Sequence, residues 1–479
     1  MQLYSTLSRK EEEFKPLEDS KVKLYACGLT VYSQPHIGNW VSYIYWDILV
    51  RTLRASGYEV DHVQNITDVG HLTSDEDAGE DKMIKSALKE GKTAWEVADK
   101  YIEIANYEAF ELLQLTRPTH MPRATDYIEE QIGFVEMLEE KGFTYLTADG
   151  VYFDTSKLAN YGKLAQLDIA GLQFGARVED TGKKNPTDFG LEAGARVAVD
   201  GKKNATDFAL WKFSPSGAKR DMEWDTKWGK GFPGWHLECS VMIRELLGDQ
   251  IDIHTGGIDH IPVHHTNEIA QSESVTEKQL SQVWVHANHL KVNGTKISKS
   301  LGNGYTLQNV LDKGYDIQAF KLMVLSKHYR TEGNFTWEIL EAAQNLLRKW
   351  QAAADLRWQT EDIPARGKTT DYAANVLHAL QDDLNTPTAL MAVDKITELE
   401  YLSKYEVEDF SAQLEQINKL IGIDLMKDDI TNEQKALIKE REAARAAKDW
   451  KKSDELRDQL QQSGLEVKDV HDRTIWSRT

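Results

Sequence analysis

Residues 21 to 67 constrain the fold more than any other stretch of the chain. KVKLYAC (21–27) has the apolar alternation of a strand. The glycine-containing turn SQPHIGN (33–39) leads into a segment whose apolar positions, Trp40, Ile44, Ile48 and Leu53, recur at helical spacing until Gly57. EVDHVQNIT (59–67) then reads as a second strand. Strand, turn, helix and strand make the βαβ unit of an α/β fold, a Rossmann-like doubly wound parallel sheet that binds mononucleotides. DIHTGGIDHIPVHHTNEIAQSE (252–273) repeats the strand, glycine turn and helix, and VWVHANHLKVNGTKISKSLGNG (283–304) is a strand pair running into a Lys/Ser/Gly loop.

Two short segments carry nucleotide chemistry. A helix that starts at the HIGN turn presents unpaired N–H groups and partial positive charge, which suits phosphate. Gly38 lets a nucleotide approach the backbone closely, and His36 can donate to a phosphate oxygen. The plain alternative is a structural His-x-Gly turn. In KISKS (296–300), Lys296 and Lys299 sit on a loop bounded by glycines. Two ammonium groups there match the charge of a nucleotidyl group in transfer; the alternative is a solvated lysine turn.

A third set concerns metal. Cys27 and Cys239 are the only two cysteines among 479 residues. A lasting disulfide is improbable in a cytosolic setting, which leaves buried spectators, metal ligands or a nucleophile. HHTNE (264–268) offers His264 and Glu268 at i and i+4, on one helix face. Two thiolates, an imidazole and a carboxylate form a mixture that zinc accepts. His236, His260 and His265 are rival histidines, and each cysteine could equally be a small buried hydrophobe.

Between the two βαβ segments, Glu96 to Lys141 reads as helical with a break at RPTHMPRATD (117–126), and DGVYFDTSK (149–157) as a short strand. GARVEDTGKKNPTDF (175–189) returns as GARVAVDGKKNATDF (194–208), matching at 11 of 15 positions. Two copies are too few for a solenoid; a duplicated polar loop is the plain reading, and a functional arm the alternative. Beyond Tyr305 the chain is almost wholly helical, and Asp449 caps a helix that puts Trp450, Leu456 and Leu460 on one side before Gly464.

The length points to about three domains. With Lys+Arg 57 and Asp+Glu 77, the net charge of −20 argues against non-specific nucleic-acid binding and requires any RNA to be met by local basic patches. No apolar run reaches the roughly 18 residues of a membrane span, and MQLYSTLSRKEEEF has no apolar signal core, so a cytoplasmic location is expected.

The segments CGLTVYSQPHIGN, NITD (65–68), WDTKWGKGFPGWHLECS (224–240), HHTNEIAQSE (264–273), KISKSLGN, LSKHYR (325–330), DDLNTPTAL (382–390), KDWKKSDELRDQL (448–460) and IWSR (475–478) occur in order along nearly the whole chain. Together they resemble the cysteinyl-tRNA synthetase family of class I. The resemblance implies a Rossmann-like sheet with an inserted connective domain and an all-α C-terminal region. It divides the chain into catalytic halves at 1–115 and 221–304, a connective insertion at 116–220, a stem-contact region at 305–370 and an anticodon-binding domain at 371–479. It also implies ATP-dependent activation of L-cysteine and its transfer to tRNA(Cys), by an enzyme expected to be a monomer.

Carried over position by position, the resemblance makes Cys27, Cys239, His264 and Glu268 the ligands of one zinc ion that reads the substrate's thiol. It places His36, Gly38, Asn39, Gly257, Asp259, Lys296 and Lys299 around Mg-ATP. His36, Asn39, Lys296 and Lys299 are its catalytic set, and Thr67 and Trp235 border the amino acid. Arg441, Arg445, Lys448, Lys451 and Lys452 are candidate phosphate contacts for tRNA, or a solvated helix face. Three departures stand out. Asn39 replaces the turn's second histidine and cannot carry charge. Ile297 replaces methionine in the lysine loop. VGHLTSDEDAGEDKM (69–83) is longer and more acidic than the family's segment, with Asp75, Glu76, Asp77, Glu80 and Asp81. Two rival functions remain: a ligase joining cysteine to an amino-sugar in thiol biosynthesis, and a non-catalytic synthetase-like binding protein.

Overall fold

A four-stranded, all-parallel sheet organises the N-terminal unit of the chain, which comprises residues 1–291, 296–306 and 329–333. Its strands are β1 (Lys21–Ala26), β2 (Glu59–Gln64), β3 (Ile251–Gly257) and β4 (Ser281–Ala287), in the order β4-β3-β1-β2. Ala26 lies opposite both Gln64 and Thr255, so β1 is central. The structure is a computed structural model and describes residues 1–70, 82–167, 201–215, 220–298, 301–364, 370–470 and 473–479.

A parallel strand covered by helices on both faces is buried at every position and is ordinarily apolar throughout. β1 follows that rule over Leu24, Tyr25 and Ala26, all 0% exposed. β3 breaks it, burying Asp252, His254 and Thr255 among its isoleucines. Asp252 accepts the Leu17 and Lys23 backbone N–H groups at 2.6 and 2.7 Å, so its burial is satisfied structurally. Helix α1 (Ile37–Ala55) follows β1 and buries Ile37, Ile44, Ile48 and Leu49 completely. Each such side chain contributes about 2 kcal/mol on burial. Past its end Gly57 has φ +94°, a left-handed turn into β2 that a side chain would strain. Helix α2 (Trp235–Leu247) precedes β3, and α3 (Thr266–Thr276) follows it. One core holds Tyr25, Val63, Met242, Ile251, Ile269 and Trp284 together with both cysteines.

The segment between β2 and α2 carries a four-stranded antiparallel sheet of Thr144–Thr147, Gly150–Phe153, Phe208–Phe213 and Gly231–Pro233. The second repeat copy runs into this sheet. Its Asp207 accepts the Tyr145 hydroxyl at 2.7 Å and the Thr155 N–H at 2.9 Å, and Phe208 stacks on Phe153. That end of the repeat is part of a core rather than a polar loop. The first copy and the start of the second lie outside the described residues, as do Asp75, Glu76, Asp77, Glu80 and Asp81 of the acidic stretch.

The C-terminal unit comprises residues 292–295, 307–328 and 334–479. It is helical, with long helices at Trp337–Ala354, Val407–Ile421, Asn432–Ala446 and Trp450–Gln462. It also carries two antiparallel strands, Leu465–Val470 and Arg473–Arg478, which the reading of the tail as all-α did not include. Alternation of Leu465 and Val467 explains them, since these side chains pack with Trp476, Ile438 and Leu460. Asp449 caps the last helix through the Lys452 N–H at 3.1 Å, and Leu456 and Leu460 are buried, but Trp450 is 57% exposed and does not share their face. Arg441 is corrected as a phosphate contact. It is 0% exposed and grips Asp469 with two nitrogens at 2.7 and 2.8 Å. No helix among the described residues is long and apolar enough to cross a membrane.

Candidate active site

The carboxyl ends of β1 and β3, together with α2, supply one cluster. Cys27 directly follows β1. Its N–H donates to Thr255 O at 3.2 Å, and its carbonyl accepts the Tyr43 hydroxyl at 3.2 Å. Cys239 lies in the second turn of α2. His264 belongs to a π-helical turn, Ile261–His265, that leads into α3, and Glu268 stands in the first turn of α3. Such a turn shifts side chains off the regular helical positions and is commonly found at functional sites.

The ligand atoms of Cys27, Cys239, His264 and Glu268 all lie within 4.8 Å of one another, and all four residues are buried. His264 Nε2 is 2.9 Å from Glu268 Oε1, and the Cys27 Sγ is 3.9 Å from the same oxygen. Bonds of about 2.0–2.3 Å to a tetrahedral ion separate its donors by about 3.3–3.8 Å. Small side-chain adjustments bring the four donors to that spacing, and the mixed sulfur, nitrogen and oxygen set suits a borderline-soft divalent ion. The residues therefore fit a metal ion.

A second donor set overlaps the first: Cys27, His254, His265 and Glu268 also lie within 4.8 Å of one another. His254 Nε2 is 2.7 Å from Glu268 Oε2, while His265 joins Cys27 Sγ at 3.3 Å to His286 Nε2 at 2.8 Å. His286 in turn meets the Thr6 hydroxyl at 2.7 Å. Sequence reasoning considered His236, His260 and His265 but missed His254 and His286. The available signal was a histidine inside each of two strands that had to be buried on both faces. His236 Nδ1 is 3.1 Å from His264 Nδ1, so the other nitrogen of His264 is the one turned to Glu268.

The electrostatics follow from this packing. Burial alone would raise the Glu268 carboxyl, but the His254 and His264 rings hold it well below the usual carboxylate range. Burial would lower His264, yet Glu268 and Cys239 outweigh it and carry the imidazole up to about 10. Burial likewise pushes both thiols up. Cys27 stays high, while bonds to Cys27 and His264 bring Cys239 to about 7. The acidic shift of Glu268 and the basic shift of His264 thus share one cause, their contact at 2.9 Å.

The nucleotide turn opens α1, the helix whose Tyr43 hydroxyl reaches the Cys27 carbonyl. His36 caps α1, and its N–H donates to Asn39 Oδ1 at 2.9 Å. Ile37 N–H donates to Tyr305 O at 2.7 Å. A Cβ on Gly38 would lie 2.7 Å from Ile297 Cδ1, so the lysine loop rests on the glycine of the turn. Asn303 shapes that loop by accepting the Ser298 N–H at 2.9 Å and donating to Lys296 O at 3.1 Å. Lys296 is exposed; Lys299 lies outside the described residues. Gly257 ends β3, where a Cβ would meet Asp259 Oδ1 at 2.2 Å. The Trp235 ring lies 4.2 Å from that of His264, centroid to centroid. Thr67 is buried, and its backbone pairs with Leu29 and Val31 beside the Cys27 segment.

Comparison with known proteins agrees over the whole length. Residues 13–345 match the family model of the tRNA synthetases class I (C) catalytic domain, and residues 427–476 match that of the cysteinyl-tRNA ligase anticodon binding domain. A protein of Burkholderia lata named "Cysteine--tRNA ligase 1" is 43% identical over 475 residues, covering 98% of this chain and 95% of the relative. A "Cysteine--tRNA ligase" of Treponema denticola is 38% identical over 515 aligned positions, covering 100% and 99%. Among solved structures, Mycobacterium tuberculosis methionyl-tRNA synthetase with methionyl-adenylate superposes with TM-score 0.56 at 14% identity, over 84% of this chain and 88% of that one. That likeness concerns the fold.

Proposed function

Because the chain belongs to the cysteinyl-tRNA synthetase family of class I, we propose that it activates L-cysteine with Mg-ATP and transfers it to tRNA(Cys), as a cytoplasmic monomer holding one zinc ion. The observation that carries this reading is the buried cluster of Cys27, Cys239, His264 and Glu268. Bound there, zinc supplies a thiophilic Lewis acid that separates a thiol from a hydroxyl of nearly the same shape.

The chain's own residues account for the rest. Thr67 and Trp235 border the amino acid, whose carboxylate attacks the α-phosphorus of ATP and expels pyrophosphate. His36 and the N–H groups at the start of α1 stabilise the phosphate charge from one side. Asn39 Oδ1 is occupied by the His36 N–H, so its side chain offers a phosphate only amide N–H groups. Lys296 and Lys299 stabilise the same charge from the other side. Gly257 and Asp259 border the nucleotide. A terminal ribose hydroxyl of the tRNA then takes the cysteinyl group and AMP leaves. In this reading residues 1–115 and 221–304 form the catalytic halves, 116–220 the connective insertion, 305–370 the stem contact and 371–479 the anticodon-binding region.

Metal analysis combined with amino-acid-dependent exchange between ATP and pyrophosphate tests the proposal. The parent is expected to carry about one zinc per chain and to prefer cysteine to serine by at least about 100-fold. Cys239→Ser is expected to lose both the metal and the preference. A parent that exchanges with serine as well as with cysteine, or that holds no metal, refutes it.

A further inference from the structure

Asn65 joins two parts of the site that the reading above treats separately. It is 1% exposed and stands just past the end of β2. Its Oδ1 accepts the Gly28 N–H at 2.8 Å, and its Nδ2 donates to Thr67 Oγ1 at 3.0 Å. The two ends of the amide are not interchangeable here. The Gly28 N–H can only donate, so oxygen must face it and the NH2 must face Thr67. The two chain segments touch at this point: a Cβ on Gly28 would lie 1.5 Å from the Asn65 carbonyl oxygen.

The consequence falls on Thr67. Its hydroxyl accepts from Asn65, which leaves its own proton to be donated elsewhere. Thr67 is 2% exposed, and that proton has no acceptor among the described residues. A buried hydroxyl of this kind is expected to find a partner, and the missing partner must be an acceptor.

We propose that Asn65 is a positioning residue for amino-acid recognition: one amide holds the Cys27–Gly28 segment and sets the Thr67 hydroxyl as a donor to a carboxylate or carbonyl oxygen of the bound amino acid. The proposal rests on the functional reading above. Acting through Thr67, Asn65 leaves the hydroxyl's one proton for an acceptor at that point.

Asn65→Asp tests it while nearly preserving shape. The carboxylate still accepts the Gly28 N–H, but it cannot donate, so Thr67 must spend its proton on it. In pyrophosphate exchange the KM for cysteine is expected to rise about ten-fold or more, with the KM for ATP and the metal content unchanged and a lower melting temperature from the buried carboxylate. Thr67→Val is expected to show the same rise, and Thr67→Ser, which keeps the hydroxyl, a smaller one. The double variant Asn65→Asp/Thr67→Val is expected to be no worse than either single one. Asn65→Ala also frees Gly28, and should surrender its metal to a chelator faster than the parent. A parental KM in Asn65→Asp, or losses that multiply in the double variant, overturns the proposal. If Asn65→Asp does not fold, equal KM values for Thr67→Val and Thr67→Ser overturn it. The parent's own cysteine-dependent exchange tests the functional reading alone, and the ratio of variant to parent tests Asn65.

Discussion

His62 should make the N-terminal unit acid-sensitive by an amount that can be worked out. It lies on β2, is 3% exposed, and neither ring nitrogen has a hydrogen-bond partner among the described residues. Burial, reinforced by Arg54 and opposed by Asp47, lowers it from 6.5 to about 4. A depressed folded pKa means that the unfolded chain binds the extra proton first. Stability is therefore whole above pH 6.5 and is lost progressively as the pH falls toward 4. At pH 5 the loss is about 2 kcal/mol, or roughly 4 °C in melting temperature for a unit of this size. The assay compares parent and His62→Leu at pH 8 and pH 5, following unfolding of the N-terminal unit. His62→Leu should remove that increment and leave the pH 8 value near the parent's, because the lost imidazole had no partners to forfeit. The double difference cancels other titrating groups, including His265 and His286, which burial also lowers. Parallel losses in parent and variant would show that His62 is not held neutral and would refute the reasoning.

Two further outcomes follow from packing. Gly28→Ala should abolish cysteine-dependent exchange while Gly38→Ala only weakens it. The first methyl meets the Asn65 backbone at 1.5 Å, whereas the second meets a flexible Ile297 methyl at 2.7 Å; equal effects in the exchange assay would contradict this. Arg441→Ala should destabilise the C-terminal unit by about 2 kcal/mol in urea unfolding, because it removes a fully buried side chain and its two bonds to Asp469 while Arg445 at 2.9 Å keeps that carboxylate paired, and a change below about 1 kcal/mol would mean that the pair acts as an ordinary surface bridge.

How much of this was legible depended on the range of the interaction. The first βαβ unit could be read locally, since Trp40, Ile44 and Ile48 repeat within one helix and Gly57 ends it. The metal cluster could not. Cys27 and Cys239 lie 212 positions apart, 239 − 27, and each had a bland local explanation. Their donor chemistry suggested a set, only the resemblance chose among the rival histidines, and their meeting is a property of strand order. His254 and His286 were missed because a histidine in an apolar run carries no mark of what lies across the sheet. The strands at Leu465–Val470 and Arg473–Arg478 were missed for a related reason. Their alternation is short, and Trp476 earns its place only by packing on helices read separately.

The position of the cluster follows from the sheet. In an open parallel sheet every strand delivers its next residue to the same edge, and ligands bind there. Cys27 after β1, Thr67 after β2 and the His264–Glu268 segment after β3 reach that edge by this route. Burying the Glu268 carboxylate and a thiolate in such a place costs several kcal/mol per ion unless the charges are matched. His254 Nε2 and His264 Nε2 lie 2.7 and 2.9 Å from the carboxylate oxygens, so the buried Glu268 is bonded on both oxygens and the cluster is held together.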